Sequence, residues 1–253
     1  MVAQRFALPL QALAPIALDD TGEALVMLLN PTGGVVGGDV LDTRVELGPG
    51  ARACLTTPSA TRVYRSAGAP AVQRFTARVG PSAVLQYVPD HVIPSRGARL
   101  VQRTELFLDE GAAVFAVDAW AAGRVASGEA WAFHLLDTGI AARDRRGPIV
   151  LERARLSGGA RWAGLGAAEG RPYVATVLAL APDRASWSPL ETALGQALHD
   201  SGALGGISPL ARGGLLARVL AASAPELRAA VDALWASWRA ETLGAPPLAL
   251  RKS

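Results

Sequence analysis

The sequence predicts a mainly β fold: an elongated two-layer structure of stacked hairpins, β-helical in character, with two to three α-helices, the last near 225–243. Three observations predict it. Stretches of alternating apolar and polar residues recur, each ending in a tight turn. The residues before those turns, Leu47, Val79, Leu108 and Leu136, are 32, 29 and 28 positions apart. A period near thirty points to units that bury their faces only against their neighbours, which gives an open stack rather than a closed barrel. Finally, Asn30 to Asp39 reads NPTGGVVGGD, and its four glycines are what a chain uses where φ is positive or two backbones touch.

The elements follow in order. The apolar run from Ala24 to Leu29 enters the glycine corner, and the alternating stretch from Val40 to Leu47 leaves it. Gly48-Pro49-Gly50 then turns the chain into a strand from Ala51 to Thr57. The design returns at Gln73 to Val79, with the turn Gly80-Pro81-Ser82 and a strand from Ala83 to Val88. It returns at Leu100 to Leu108, turning at Asp109-Glu110-Gly111 into Ala112 to Trp120. A fourth copy is expected over Glu129 to Leu136, with its turn at Asp137-Thr138-Gly139. By this spacing Thr56-Thr57-Pro58, Pro89-Asp90-His91 and Asp118-Ala119-Trp120 share one rim, which Asp39 is expected to reach. Further strands are expected over Pro148 to Leu156, Tyr173 to Leu180 and Leu210 to Leu220. Ser188 before Pro189 caps a helix running to about Asp200. In the last helix Leu227, Val231, Leu234 and Trp238 share a face, with Arg228, Asp232 and Arg239 elsewhere.

Composition narrows the function. Half of the 253 residues are hydrophobic, enough for a sizeable core. The formal charge is +3, and Lys252 is the single lysine among many arginines. Arginine grips carboxylates and carbonyls, which suits protein partners, and no basic run with interleaved aromatics points to nucleic acid. The single Cys54 excludes an internal disulfide and fits a reducing compartment, so the cytoplasm is expected. No secretory signal or membrane span is read from the pattern.

The candidate chemistry is acidic. The glycine corner ends in Asp39 and opens onto a strand, which disfavours a phosphate cradle. It either only permits close packing or also positions Asp39 for a cation or a partner. Asp118, Glu129 and Glu152 lie beside apolar strand residues; such carboxylates need arginine partners or a hydrated polar path, and oxygen donors hold a divalent cation loosely enough to release it. No nucleophile constellation stands out, so no catalytic residue is assigned. Thr57, Arg62, Tyr64 and Arg65 lie in LTTPSATRVYRS, 55–66, with the residue types favoured at interfaces.

Taken together, NPTGGVVGGD at 30–39, LTTPSATRVYRS at 55–66, GRVASGE at 123–129 and LWASWR at 234–239 resemble the urease accessory protein UreD family, called UreH in some species. The resemblance covers almost the whole chain and implies one domain, 1–253, with a β-helical stack and a few helices. It implies a scaffold without catalytic turnover that partners UreF, through it UreG, and the urease apoprotein, and that passes nickel transiently along a polar tunnel with no tightly bound cofactor. Asp39, Asp118, Glu129 and Glu152 are the implied nickel-path residues. Two readings remain beside it: a β-stack protein-binding module unrelated to urease, and a metal-dependent hydrolase built on the rim carboxylates.

Overall fold

A computed structural model describes residues 3–17, 22–181, 186–248 and 250. The chain coils rather than folding into hairpins. One coil lays down β1 (Ala24–Leu29), β2 (Gly34–Val35) and β3 (Val40–Leu47) on three faces. The second gives β4 (Arg52–Thr56), β5 (Thr61–Val63) and β6 (Ala71–Val79). The third gives β7 (Val84–Val88), β8 (Val92–Pro94) and β9 (Arg99–Leu108), and the fourth β10 (Ala113–Ala121) and β11 (Leu135–Asp144). Equivalent strands pair in parallel: β1-β4-β7-β10 on the first face, β2-β5-β8 on the second, β3-β6-β9-β11 on the third. The two long faces are the two layers, and the short one closes an edge between them.

The expected hairpins are therefore corrected. Gly48-Pro49-Gly50, Gly80-Pro81-Ser82 and Asp109-Glu110-Gly111 are tight turns, but each carries the chain from the third face to the first. Gly80 N donates to Leu47 O and Asp109 N to Val79 O, which stacks these corners on one another. A short turn between alternating strands fits a hairpin and a solenoid corner alike, because alternation fixes the buried side and not the partner strand.

The first two repeat steps match the register, Leu47 opposite Val79 and Val79 opposite Leu108. The third does not: Leu136 lies opposite Leu100, a step of 36, because the small ladder of 123–124 with 129–130 is inserted there. The turn expected at Asp137-Thr138-Gly139 is the middle of β11, held on both sides by β9 and by the antiparallel β12 (Gly147–Leu156).

The first face is extended antiparallel by β13 (Tyr173–Leu180), which pairs with β10, and then by the hairpin of β14 (Leu204–Pro209) and β15 (Leu215–Ala221), in which β15 lies next to β13 and β14 is outermost. The single strand expected over Leu210 to Leu220 is thus a hairpin, whose turn uses positive φ at Gly213 and Gly214. α1 (Ser188–Asp200) follows Trp187, and no side chain caps it, so Ser188 opens the helix without serving as its cap. α2 (Ala224–Leu243) is capped by the Ser223 hydroxyl, which accepts from Glu226 N. Both helices cover the outer side of the first face through Leu190, Leu194, Leu198, Leu227, Leu234, Trp235 and Trp238. Arg239, expected away from the apolar face, is fully buried and donates to both oxygens of Glu23 at 3.0 and 3.1 Å and to Gln86 Oε1 at 2.7 Å.

All four corner glycines are required. Gly33 and Gly38 have φ of 72° and 92°. A Cβ at Gly34 would lie 2.4 Å from Arg62 O, and one at Gly37 2.0 Å from Ser66 Oγ.

Candidate functional site: an oxygen-lined interior around Asp118

Inside the coil, side chains from the first and third faces meet in two apolar clusters. One is built on Leu55, Phe75, Leu85, Leu106 and Val114, the other on Val35, Val63, Leu100, Trp120 and Leu136. Between them the inward positions turn polar. On the third face Gln73, Gln102 and Thr138 stand side by side in register, one residue pair from Phe75, Thr104 and Ile140. On the first face Asp118 lies opposite Thr176, and Thr176 opposite Arg218.

Asp118 is 5% exposed. Its Oδ1 accepts from Gln102 Nε2 at 2.7 Å, and its Oδ2 accepts from the Thr138 hydroxyl. Burial raises its pKa above the usual carboxylate value; the bonds from Thr138 and Gln102 and the charge of Arg103 oppose that, and Glu152 adds to it. The Tyr87 hydroxyl is pushed up as well, by burial and then by Asp118. The Tyr87 ring stacks on Phe75 with centroids 3.7 Å apart.

Beside this cluster is a cavity of about 100 Å³, with Thr43, Gln73, Tyr87, Gln102 and Thr104 among its walls. At roughly 10–15 Å³ each, that is room for several waters. Thr57, Ser59 and Asp90 line its other end, where Ser59 is exposed. Thr57 Oγ1 accepts from Asp90 N at 2.9 Å, and Val92 is in register with Trp120, so the expected rim of 56–58, 89–91 and 118–120 is a stacked corner.

The four predicted carboxylates are not gathered at one point. Glu152 stands one row from the polar one, opposite Ile140; its charge is felt at Asp118, and it accepts from Arg218, whose side chain is exposed. Asp39 lies at the next corner, where its Oδ2 accepts from Val36 N at 2.8 Å and closes the glycine turn. A three-sided coil has three corners where a hairpin stack has two edges, and this separates Asp39 from the Thr57 corner. Glu129 lies in the inserted ladder and is gripped by Arg124 at 2.8 and 2.9 Å; that bond holds its pKa down to about 2. Among the described residues no three His, Cys, Asp or Glu side chains converge as metal ligands would.

Of the predicted partner residues, Arg62, Tyr64 and Arg65 are exposed on the second face, while Thr57 lines the cavity. His91 packs edge-on against Tyr173 and has its pKa lowered by burial. Cys54 is a core residue. Sequence reasoning missed Gln73, Gln102, Thr104, Thr138 and Tyr87. The signal was present in β6, where Gln73 has the same parity as Phe75, Ala77 and Val79.

The fold and its interior define a β-solenoid-like protein with a polar layer that runs between two apolar ones and carries a single buried acid. The profile described as UreD urease accessory protein matches residues 1–253. Curated relatives agree. The urease accessory protein UreD of Actinomyces naeslundii is 35% identical over 96% of this chain and 89% of its own length. Those of Deinococcus radiodurans and Alkalilimnicola ehrlichii are 35% and 37% identical over 96% and 87% of this chain, and 86% and 74% of theirs. The chain belongs to the UreD urease accessory protein family, and its role is in urease maturation.

Proposed function

We propose that this chain is a non-enzymatic scaffold that joins UreF, and through it UreG, to the urease apoprotein in the cytoplasm, and that nickel crosses it through the polar interior. Family membership supports the place in urease maturation. The observation that carries the nickel reading is Asp118, a buried carboxylate held by neutral donors rather than by an arginine fork, next to a cavity whose mixed wall of apolar groups and two arginines also holds the oxygen-bearing side chains of Thr43, Gln73, Tyr87, Gln102 and Thr104.

The donors suit a passing cation. Carboxylate, hydroxyl and amide oxygens bind a borderline divalent ion more weakly than thiolate or imidazole cages do, so an ion that enters can leave. Burial raises the Asp118 pKa and so weakens its hold on a bare charge, and an approaching dication would compensate that burial and take up the Gln102 and Thr138 oxygens in exchange. Glu152 lies one row away, paired with Arg218; Asp39 and Glu129, at another corner, would meet a cation only near the surface. Arg62, Tyr64 and Arg65, with Thr57 behind them, form the partner surface of this reading, since arginine and tyrosine carry interface energy well.

The test is urease activation in cells expressing this chain with its partners, with nickel per urease active site and capture of UreF measured in parallel. Asp118→Asn should fold and capture UreF as the wild type does while nickel loading falls at least tenfold. Full loading with Asp118→Asn would remove the interior path. Loss of UreF capture by the wild type would remove the scaffold role.

A further inference from the structure

The two long faces are finished differently on their outer sides. The first face is roofed by α1 and α2. On the third face, β3, β6, β9, β11 and β12 leave their outward residues open. One outward row reads Asp42, Arg74, Arg103, Gly139, Arg153, and another Glu46, Arg78, Phe107, Arg143, Pro148. Across the four outward rows from Val40–Arg155 to Glu46–Pro148, seven arginines stand against four carboxylates.

The positive charge is organised. Asp137, buried, accepts from Arg103 and Arg153 at 2.7 Å each and lies 4.0 Å from Arg155. One carboxylate thus orients two guanidinium groups and draws a third near; Arg153 keeps three of its five donors unused, and Arg103, which also donates to the Gln102 and Asp137 carbonyls, keeps two. Its pKa is lowered, first by the bond from Arg153, so it stays ionised and keeps Arg103 and Arg153 in place. Phe107 lies between Arg78 and Arg143, whose guanidinium carbons are 4.9 and 5.6 Å from its ring centre. Leu151, on β12, is 80% exposed and roughly 12 Å from Phe107 by strand and residue spacing.

We infer that this outward face is a docking surface for an acidic protein surface with an apolar centre, and that it is separate from the Arg62–Arg65 edge. Phe107 and Leu151 supply the apolar contacts, and the pre-set guanidinium groups receive the partner's carboxylates at little ordering cost. Complementary charge selects that occupant over another copy of this face, which would repel it. Asp42, Glu46 and Glu105 are interspersed among the arginines and would oppose a phosphate backbone, so nucleic acid is disfavoured. The inference rests on the maturation role only for its choice of partner probes.

The test compares the wild type, Arg78→Glu/Arg143→Glu and Leu151→Asp with Arg62→Glu/Arg65→Glu as the control surface. The probes are a 20-residue polyglutamate and, separately, UreF, UreG and urease apoprotein from the same cells. All replaced side chains are exposed, so melting temperatures should match, and Leu151→Asp stands alone if the double reversal does not fold. In 50 mM salt the double reversal should weaken polyglutamate binding at least tenfold, with the control reversal changing it less than twofold. At least one natural partner should lose tenfold or more with the double reversal and with Leu151→Asp, in a salt-dependent way. Unchanged partner affinities, or equal losses from the control, overturn the inference. So does a 20-base-pair DNA that binds more tightly than polyglutamate and is lost on the same reversal. If the wild type binds none of the three partners, the maturation reading falls, and the surface is judged on polyglutamate alone.

Discussion

Two carboxylates lie almost equally deep in this protein and are kept in opposite ways. Glu23 is 2% exposed beneath α2, and Arg239 donates to both of its oxygens. Asp118 is 5% exposed inside the coil and among the described residues has Gln102 and Thr138 as its hydrogen-bond donors. A buried charge with a fully desolvated partner is committed to the fold, because removing either side strands the other. One held by neutral donors keeps its proton within reach and can exchange those donors for a cation. The same residue class thus serves as a clamp in one region and, on the proposed reading, as an exchangeable site in the other.

The largest expected effect breaks the clamp. Arg239 also donates to Pro246 O at 2.8 Å and to Gln86, so it ties α2, the segment after it and the first face together. Arg239→Met should destabilise the fold by about 3–5 kcal/mol, the loss typical of one partner of a buried pair. Urea unfolding would measure it. A loss below about 1 kcal/mol would mean that Glu23 finds another partner or water, and the contrast with Asp118 would fail.

Next comes the backbone that shapes the coil. Gly37→Ala places a methyl 2.0 Å from Ser66 Oγ and 2.6 Å from Ala69 O. The corner must open, and a loss of about 1–3 kcal/mol is expected, as for overpacking elsewhere. Gly38→Ala is limited instead by its φ of 92°, with open space around the new methyl. Here sequence and structure agree closely. The glycine density announced both requirements, positive φ and close approach, and each of the four residues meets one of them.

Legibility fell where one local pattern served two global arrangements. The 32 and 29 spacings gave true register, because each coil returns to the same face after one circuit. The third spacing misled: the inserted ladder at 123–130 lengthens the circuit, and Asp137-Thr138-Gly139 has turn composition in the middle of a strand. Asp137 is there to hold arginines on the outside, Thr138 to meet Asp118 on the inside, and Gly139 because a Cβ would lie 2.9 Å from Glu152 O. The interior polar row was readable in principle from the parity of Gln73 and Gln102. The Glu23–Arg239 pair was not, since its partners are 216 positions apart and no spacing rule connects them.

A smaller effect, of opposite sign, sharpens the comparison. A carboxyl whose folded pKa is raised contributes stability that is fully present below its unfolded value and is lost as pH rises through the folded one. Asp118 is such a group, with an ordinary value of 3.8. Asp118→Asn keeps the shape, can accept from Gln102 and can donate to Thr138, and has no charge to bury. Its melting temperature should match the wild type near pH 4 and exceed it progressively as the pH is raised, by a few degrees at most, while activation falls. Thermal melts at four pH values would show this. A variant less stable than the wild type at pH 8 would mean that the ionised Asp118 is paired as firmly as Glu23.

The smallest expected effect concerns Glu129, which looked like Asp118 in the sequence. Its carboxylate is held by Arg124 in the inserted ladder, with Arg96 Nε 3.9 Å away. Its lowered pKa, about 2, means that whatever stability it supplies is present at neutral pH and lost only as the pH falls toward that value. The arginines are exposed, so solvent screens the pair and the gain is slight. Glu129→Gln should leave the melting temperature at pH 7 unchanged within error and reduce nickel loading less than twofold, against the tenfold loss for Asp118→Asn. Equal losses from the two variants would place the ion's route along the outer ladder as well as the interior, and the distinction between a surface-paired acid and a buried exchangeable one would no longer separate structure from function.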